Sequence, residues 1–379
     1  MTQAKPRPHI PPLELSAVWE CADPRQADAI LGKQEAGYVY RREGHPNADA
    51  LAQAVRTLHG TDFGVATSSG MGAIAAAILA TVKAGDHVIL SDRLYGKTTF
   101  LVTTELPRLG VEFTTVDMRD HSAVQSAARP NTKLLIAETI ANPRLEVMDL
   151  AALAKLAHSA GALLLADNTF ATPFLCRPAE LGADLVMESL TKMINGHSDV
   201  LLGWIGGTQP LAARVASVVA TWGLISNPLD CWLATRSLAT FPLRMERCCE
   251  NALSAAEFLA GRAEVSGVDY PGLANHPEHA LAKRQFAGQY GPLITFHLRG
   301  GLAAAEAFIR GANQIPFCPS LGTFNTSLSH PASTSHRAYS AQAREQLGIT
   351  EGTIRMSVGV EAFAALSEHL HAGFRAVSA

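Results

Sequence analysis

Charge, paired cysteines and long hydrophobic runs are all scarce in this chain, and each scarcity excludes a class of protein. Only 17% of the 379 residues are charged, and 31 basic against 34 acidic side chains give a formal net charge of −3. Binding to nucleic acid is driven by a basic surplus that displaces counterions, so nucleic acid is not the expected partner. The six cysteines, at 21, 176, 231, 248, 249 and 318, form no C-x-x-C pair. Neither a disulfide framework nor a cysteine-built metal site is expected, and the setting reads as reduced and cytoplasmic. The most apolar stretch, Ala73–Val82, is too short to span a bilayer. The start, MTQAKPRPHIPPLELS, is rich in proline and lacks the apolar core of a secretion signal. What is present is 47% hydrophobic residues, enough for a sizeable core without staples. The expectation is a soluble, intracellular, globular protein with no membrane partner.

Three regions follow from the pattern along the chain. Residues 1–60 carry much Pro and Gly and little apolar periodicity, so they read as an irregular arm lying over another surface or a second subunit. Residues 61–245 alternate apolar runs with amphipathic stretches. Strands are expected at 64–67, 87–90, 112–116, 133–137, 162–166, 184–187 and 201–206, with helices such as 72–82, 121–128 and 150–160 between them. Seven runs in such alternation predict an α/β fold with a largely parallel sheet covered on both faces. Residues 246–379 read as a smaller α+β domain, entered through one long helix over 231–261. No fixed-period repeat or low-complexity block is present.

The first motif points two ways. Gly70-Met71-Gly72-Ala73-Ile74-Ala75 fits G-x-G-x-x-A at a strand-to-helix turn, and Asp92 follows about twenty residues later, as in a nicotinamide-binding fold. Glycine is common at such turns for backbone reasons alone. Both readings share one physical core: SSGMG gathers free amides, hydroxyls and a helix dipole at a point that suits a phosphate.

Two later stretches decide which phosphate. In GALLLADNTFATP, Asp167 ends an apolar strand, where a carboxylate is costly without a cation. In DLVMESLTKMINGHSDV, Lys192 follows another apolar strand with Ser189 and Thr191 beside it. Taken singly, Asp167 reads as a turn cap and Lys192 as a surface lysine. Together they describe a pyridoxal phosphate site: a lysine amine for the Schiff base, an aspartate to keep the pyridine nitrogen protonated, and hydroxyls for the phosphate.

These stretches, with YVYRREGHPN, SDRLYGKT, ETIANP, SLGTFNTSLSHPASTSH and IRMSVGVE, resemble the Cys/Met-metabolism family of pyridoxal phosphate enzymes, the cystathionine γ-synthase-like or transsulfuration group. The resemblance runs from about Tyr38 to Glu361. It implies fold type I: a mainly parallel seven-stranded sheet, a smaller C-terminal domain and an extended N-terminal arm. Lys192 is implied as Schiff-base lysine and general acid/base, Asp167 as partner of the ring nitrogen, and Asn142 as neighbour of the ring hydroxyl. Gly70, Met71, Ser189 and Thr191 are implied to hold the phosphate, and Tyr95 to stack on the ring and handle protons or the leaving group. Tyr40 and Arg42 resemble arm residues that reach the phosphate of a neighbouring subunit, with Tyr40 also near substrate. Ser320 and Arg355 resemble the clamp on the substrate carboxylate, for which Arg offers a bidentate fork. A homo-oligomer, a dimer of dimers with shared sites, is implied with them.

Departures from the family pattern bear on the substrate. The arm reads His45-Pro46-Asn47, with His45 taken as a turn residue. Lys97 follows Tyr95-Gly96 where methionine γ-lyases have Cys, no Arg follows in KTTFL, and Pro319 stands where cystathionine-handling members often have Glu. The missing Arg and the missing Glu remove two partners for the distal end of cystathionine. Against that, HRAYSAQAREQLGITEGTIRMSVG resembles the γ-lyases, while HPASTSH is similar to homoserine-ester sulfhydrylases. The expected activity on an amino acid is that of a C–S lyase of the cystathionine or methionine γ-lyase type. γ-Replacement, by a cystathionine γ-synthase or O-acylhomoserine sulfhydrylase, is the alternative. A nicotinamide-dependent dehydrogenase leaves Asp167, Lys192 and Arg355 unexplained. An inactive binding relative would have lost the lysine or the aspartate, and both are present.

Overall fold

The computed structural model describes residues 9–378. The N-terminal region departs from the irregular arm expected of it, because two helices precede the first strand. Helix α1 (Pro24–Leu31) is capped by Asp23, whose carboxylate accepts from the Arg25 and Gln26 amides. Helix α2 (Pro46–His59) begins where His45 Nδ1 accepts from the Ala48 amide and ends at Gly60, whose φ of 68° few other residues adopt. His45 is thus the turn residue expected of it. Leu51 and Val55, one turn apart on α2, are fully buried against the main sheet. Proline at the first position and alanine on the buried face concealed this helix from the hydrophobic pattern.

Seven strands follow: β1 (Phe63–Thr67), β2 (His87–Ser91), β3 (Glu112–Val116), β4 (Thr132–Glu138), β5 (Leu163–Asp167), β6 (Leu185–Glu188) and β7 (Gly203–Gly207). Their order is β1-β7-β6-β5-β4-β2-β3, with only β7 running against its neighbours. The helices expected between them occur as α3 (Gly70–Thr81), α4 (His121–Ala127) and α5 (Leu150–Ser159). Successive strand residues enter opposite cores. Leu134, Ile136 and Leu165 pack with Ile74 and Ile78 of α3, whereas Leu135, Ala137 and Leu164 pack with Leu153 and Ala157 of α5. Burial on both faces explains why these strands read as unbroken apolar runs.

The single long helix expected over 231–261 is two helices, α6 (Pro228–Leu238) and α7 (Phe241–Ala260), with Pro242 in the first turn of the second. Proline lacks an amide to continue the first helix and suits the start of the next. Helix α7 joins two cores: Phe241 and Met245 pack under the large sheet, and Ala255 and Leu259 pack into the C-terminal unit. Of our proposed division into 1–60, 61–245 and 246–379, the second boundary falls within this helix and the first just after α2. The C-terminal unit holds an antiparallel sheet of β8 (Val265–Asp269), β9 (Leu293–Leu298), β10 (Ser327–Ser329) and β11 (Thr353–Ser357), ordered β10-β11-β9-β8. Helices α8 (Gly301–Gly311) and α9 (Phe363–Val377) cover it, with Phe308 and Phe374 at their contact. Among the described residues, no helix is long and apolar enough to cross a membrane.

Candidate active site

In a parallel sheet the carboxyl ends of the strands share one edge, and ligands bind in the crevice outside it. Asp167 ends β5, Glu138 ends β4, Lys192 follows β6, and the Ser69–Gly70 turn follows β1. Against that edge the small domain sets Arg355, from the middle of β11, and Ser320, from a loop. Between them lies a cavity of about 240 Å³. Gly70, Met71, Tyr95, Asn142, Asp167, Ser189, Thr191, Lys192, Ser320 and Arg355 all line it. Of the residues expected at the site, Tyr40 and Arg42 lie elsewhere.

One end is built for an anion. Ser69 caps α3 by accepting from the Gly72 amide at 3.0 Å, which leaves the first-turn amides of Gly70 and Met71 without intrahelical acceptors and at the positive end of the helix dipole. A Cβ on Gly70 would lie 2.9 Å from the Ser189 Cβ, so the cradle closes only around glycine. Thr191 is less available than Ser189. Its hydroxyl donates to the Leu202 carbonyl at 3.2 Å and accepts from the Leu202 amide at 3.0 Å.

Across the floor stand acids without cations. Asp167 is open only toward the cavity, and its Oδ1 accepts from the Thr169 amide at 3.0 Å. Burial pushes its carboxyl up to about 6, the Thr169 hydrogen bonds pull it down, and the charge of Glu188 adds to the rise. Glu138, 6% exposed, accepts from the Tyr95 amide at 2.5 Å and the Asn142 amide at 3.3 Å. Burial, then the neighbouring Asp167, raises its carboxyl well above the ordinary range. A cation placed beside Asp167 would relieve this cost. That is what a protonated pyridine ring offers, so the residues fit the cofactor.

The opposite wall carries the reverse imbalance. Arg355 is 3% exposed, and its guanidinium donates only to neutral oxygens: Nη1 to Asn142 Oδ1 at 2.9 Å and Nη2 to the Ser320 carbonyl at 3.0 Å. Nε has no partner, and burial lowers the group to about 10. A desolvated guanidinium with an orphan donor is a receptor for a carboxylate. Asn142, expected beside the ring hydroxyl, is here the side chain that orients Arg355. Lys192 Nζ donates to Ser320 Oγ at 3.0 Å. Burial first, and the charge of Arg355 second, lower its pKa toward the neutral amine that a Schiff base requires.

Other expected residues find quieter places. Asp92 pairs with Arg93 and does not line the cavity, so the dinucleotide reading loses its ribose acid. Lys97 is exposed with Nζ 5.8 Å from the Phe100 ring centre, and it too is outside the cavity lining. Tyr40 and Arg42 line a separate groove of about 550 Å³, with the Arg42 guanidinium 5.5 Å from the Tyr40 ring centre. Sequence reasoning missed Glu138, Thr98, Thr169, Phe170 and Ser335, all in the lining. Glu138 had a usable signal: like Asp167, it is an acid ending an apolar parallel strand.

Comparison with known proteins agrees with this geometry. The model of the family described as Cys/Met metabolism PLP-dependent enzyme matches residues 2–375. L-methionine γ-lyase from Fusobacterium nucleatum subsp. polymorphum is 42% identical over 331 residues, 86% of this chain and 84% of that protein. Cystathionine γ-lyase from Bacillus subtilis is 41% identical over 329 residues, 86% of each. A solved structure from Campylobacter jejuni, described as a putative O-acetylhomoserine (thiol)-lyase with N'-pyridoxyl-lysine-5'-monophosphate, superposes with a TM-score of 0.92 at 27% identity, covering 98% of this chain and 95% of that one. With a lysine, an uncompensated acid and an anion cradle on one strand edge facing a desolvated arginine, the chain belongs to the Cys/Met metabolism family of pyridoxal phosphate-dependent enzymes.

Proposed function

We propose that the protein is a C–S lyase of the γ-lyase type, acting on a sulfur-containing amino acid and releasing a thiol, ammonia and a 2-oxo acid. The observation that carries the reading is the unpaired Arg355 guanidinium facing the same cavity as Lys192 and Asp167. When bound, pyridoxal phosphate supplies a carbonyl for the substrate amine and a protonated ring that accepts the electron pair left at the α carbon.

The chain's own groups divide the remaining work. Arg355, oriented by Asn142 and the Ser320 carbonyl, takes the substrate carboxylate and fixes the α carbon near Lys192. Lys192 removes the α-proton as its neutral amine and returns protons along the carbon chain. Asp167 holds the ring-nitrogen proton. Gly70, Met71 and Ser189 would hold the phosphate, with Thr191 beside them. Tyr95, 45% exposed and in the cavity lining, would cover the ring and pass a proton to the departing sulfur. Tyr40 and Arg42 complete the site of a neighbouring subunit in a dimer of dimers. The scarcity of paired cysteines supports a cytoplasmic enzyme.

Apart from Glu138, Asp167, Lys192 and Arg355, whose roles are assigned or whose position is at the floor, no residue lining the cavity is charged. This lining favours a plain thioether over the charged distal end of cystathionine. γ-Replacement on an O-acylhomoserine uses the same catalytic set and is the second reading, supported by the likeness to the thiol-lyase structure. Mass spectrometry of holoenzyme incubations separates them. With L-methionine, 2-oxobutanoate and methanethiol are expected. A new thioether from an O-acylhomoserine and a thiol, with no 2-oxobutanoate from methionine or cystathionine, would overturn the lyase reading.

A further inference from the structure

A third buried acid, Glu188, stands behind Asp167. Glu188 ends β6, and its predecessor Met187 is the register partner of Asp167 on β5. Met187 lines the cavity, so strand alternation turns Glu188 to the opposite face, under α2. Its Oε1 accepts from Asn168 Nδ2 at 3.1 Å and lies 3.1 Å from His59 Nε2. Both side chains are essentially without solvent contact. The imidazole stacks on Trp204 with ring centres 4.9 Å apart, and Trp204 is the β7 register partner of Glu188. The contact with His59 is close but poorly aligned, so neither imidazole nitrogen nor Glu188 Oε2 completes a hydrogen bond. Asn168 itself is held by the Thr139 hydroxyl at 2.8 Å and by the Cys176 carbonyl at 3.0 Å.

An under-satisfied carboxylate at this depth is costly and adds nothing to packing that an apolar side chain would not. Its place supplies a reason. Charge at Glu188 acts on Asp167 from the side away from the cavity and makes the aspartate a stronger base. The ionisable groups around Glu188 are His59 of α2, Asp167 of β5 and Cys176 in the turn after β5. We propose that Glu188, held by Asn168 on the far side of the sheet from the cavity, is a positioning residue that strengthens the hold of Asp167 on the protonated ring nitrogen of the cofactor. The inference rests on Asp167 as the ring-nitrogen partner.

The test uses holoenzyme carrying Glu188→Gln, His59→Phe, His59→Gln or Asp167→Asn. Two readouts apply: the pH titration of the cofactor absorbance without substrate, and α-proton exchange into deuterated water. Asp167→Asn should shift the titration most. Glu188→Gln should shift it in the same direction by less, and slow exchange about 3- to 10-fold, up to one pKa unit's worth. His59→Phe, which removes the polar imidazole beside Glu188 Oε1, should match Glu188→Gln, while His59→Gln should restore wild-type behaviour. If Asp167→Asn shifts both readouts and Glu188→Gln shifts neither, the inference is overturned alone. If Asp167→Asn leaves both unchanged, the role of Asp167 fails and this inference with it. Should His59→Phe not fold, Glu188→Gln and His59→Gln carry the test.

Discussion

The two walls of the cavity are built differently and charged oppositely. On the large-domain wall, functional groups come from the carboxyl ends of parallel strands, and the acids Asp167 and Glu138 line it without cations, with Glu188 behind them on the other face of the sheet. On the small-domain wall, Arg355 comes from the middle of an antiparallel strand and is a cation without an acid. The difference teaches how the site divides its task. On the proposed reading, the acidic wall receives a cationic ring, the basic wall a carboxylate, and Lys192 serves both. Each wall holds a charge that costs stability until its ligand arrives, a trade common to active sites.

The largest expected effect breaks the link between the walls. Lys192→Ala should lower turnover by roughly 10³-fold or more, the upper range for a general acid/base. It should still take up pyridoxal phosphate reversibly through the Gly70–Met71 cradle, seen as an absorbance change on mixing. Next is Arg355→Ala, which removes a charge-assisted clamp on the order of 2–3 kcal/mol. KM for the amino acid should rise about 30- to 100-fold, while the melting temperature of the cofactor-free protein should not fall, because the lost cation was unpaired. A large drop in that temperature would mean Arg355 serves the fold.

Asp167→Asn tests the acidic wall in the same two currencies. It should slow α-proton exchange yet stabilise the cofactor-free protein at neutral pH. The folded carboxyl is raised from 3.8 to about 6, so its contribution is fully present below the unfolded value and is lost as pH rises through about 6. At about 1.4 kcal/mol per pKa unit the loss is on the order of 2–3 kcal/mol. Denaturant melts at pH 4 and pH 7 should therefore differ less in the variant than in the wild type. Bound cofactor should erase the penalty by pairing the charge. The smallest effect is expected at Arg42→Ala: about a tenfold loss of cofactor affinity in the oligomer, the weight of one exposed charge-assisted contact. Unchanged affinity in titration calorimetry would separate the arm from the site.

The acidic wall was the more legible in sequence. Asp167 closes an apolar strand, Lys192 follows one, and Ser69–Gly70 opens a helix, so their local patterns taken together mark them. Arg355 and Ser320 carry no such mark. They meet the cavity through tertiary packing, and only the family resemblance pointed to them. Helix α2 was hidden because alanine and proline fill its first turns, and the break at Ala239–Thr240 because apolar periodicity continues across it. The His59–Glu188 pair was invisible for a simpler reason, since 129 residues of sequence separate two side chains that only the sheet brings together.

The central claim is that this cavity holds an amino acid by its carboxylate while Lys192 takes its α-proton. Proton NMR of L-methionine with the holoenzyme in deuterated water tests that step ahead of any question about the leaving group. Loss of the α-proton signal with wild type, and its persistence with Lys192→Ala, is the predicted result. Exchange by Lys192→Ala at the wild-type rate would contradict the account.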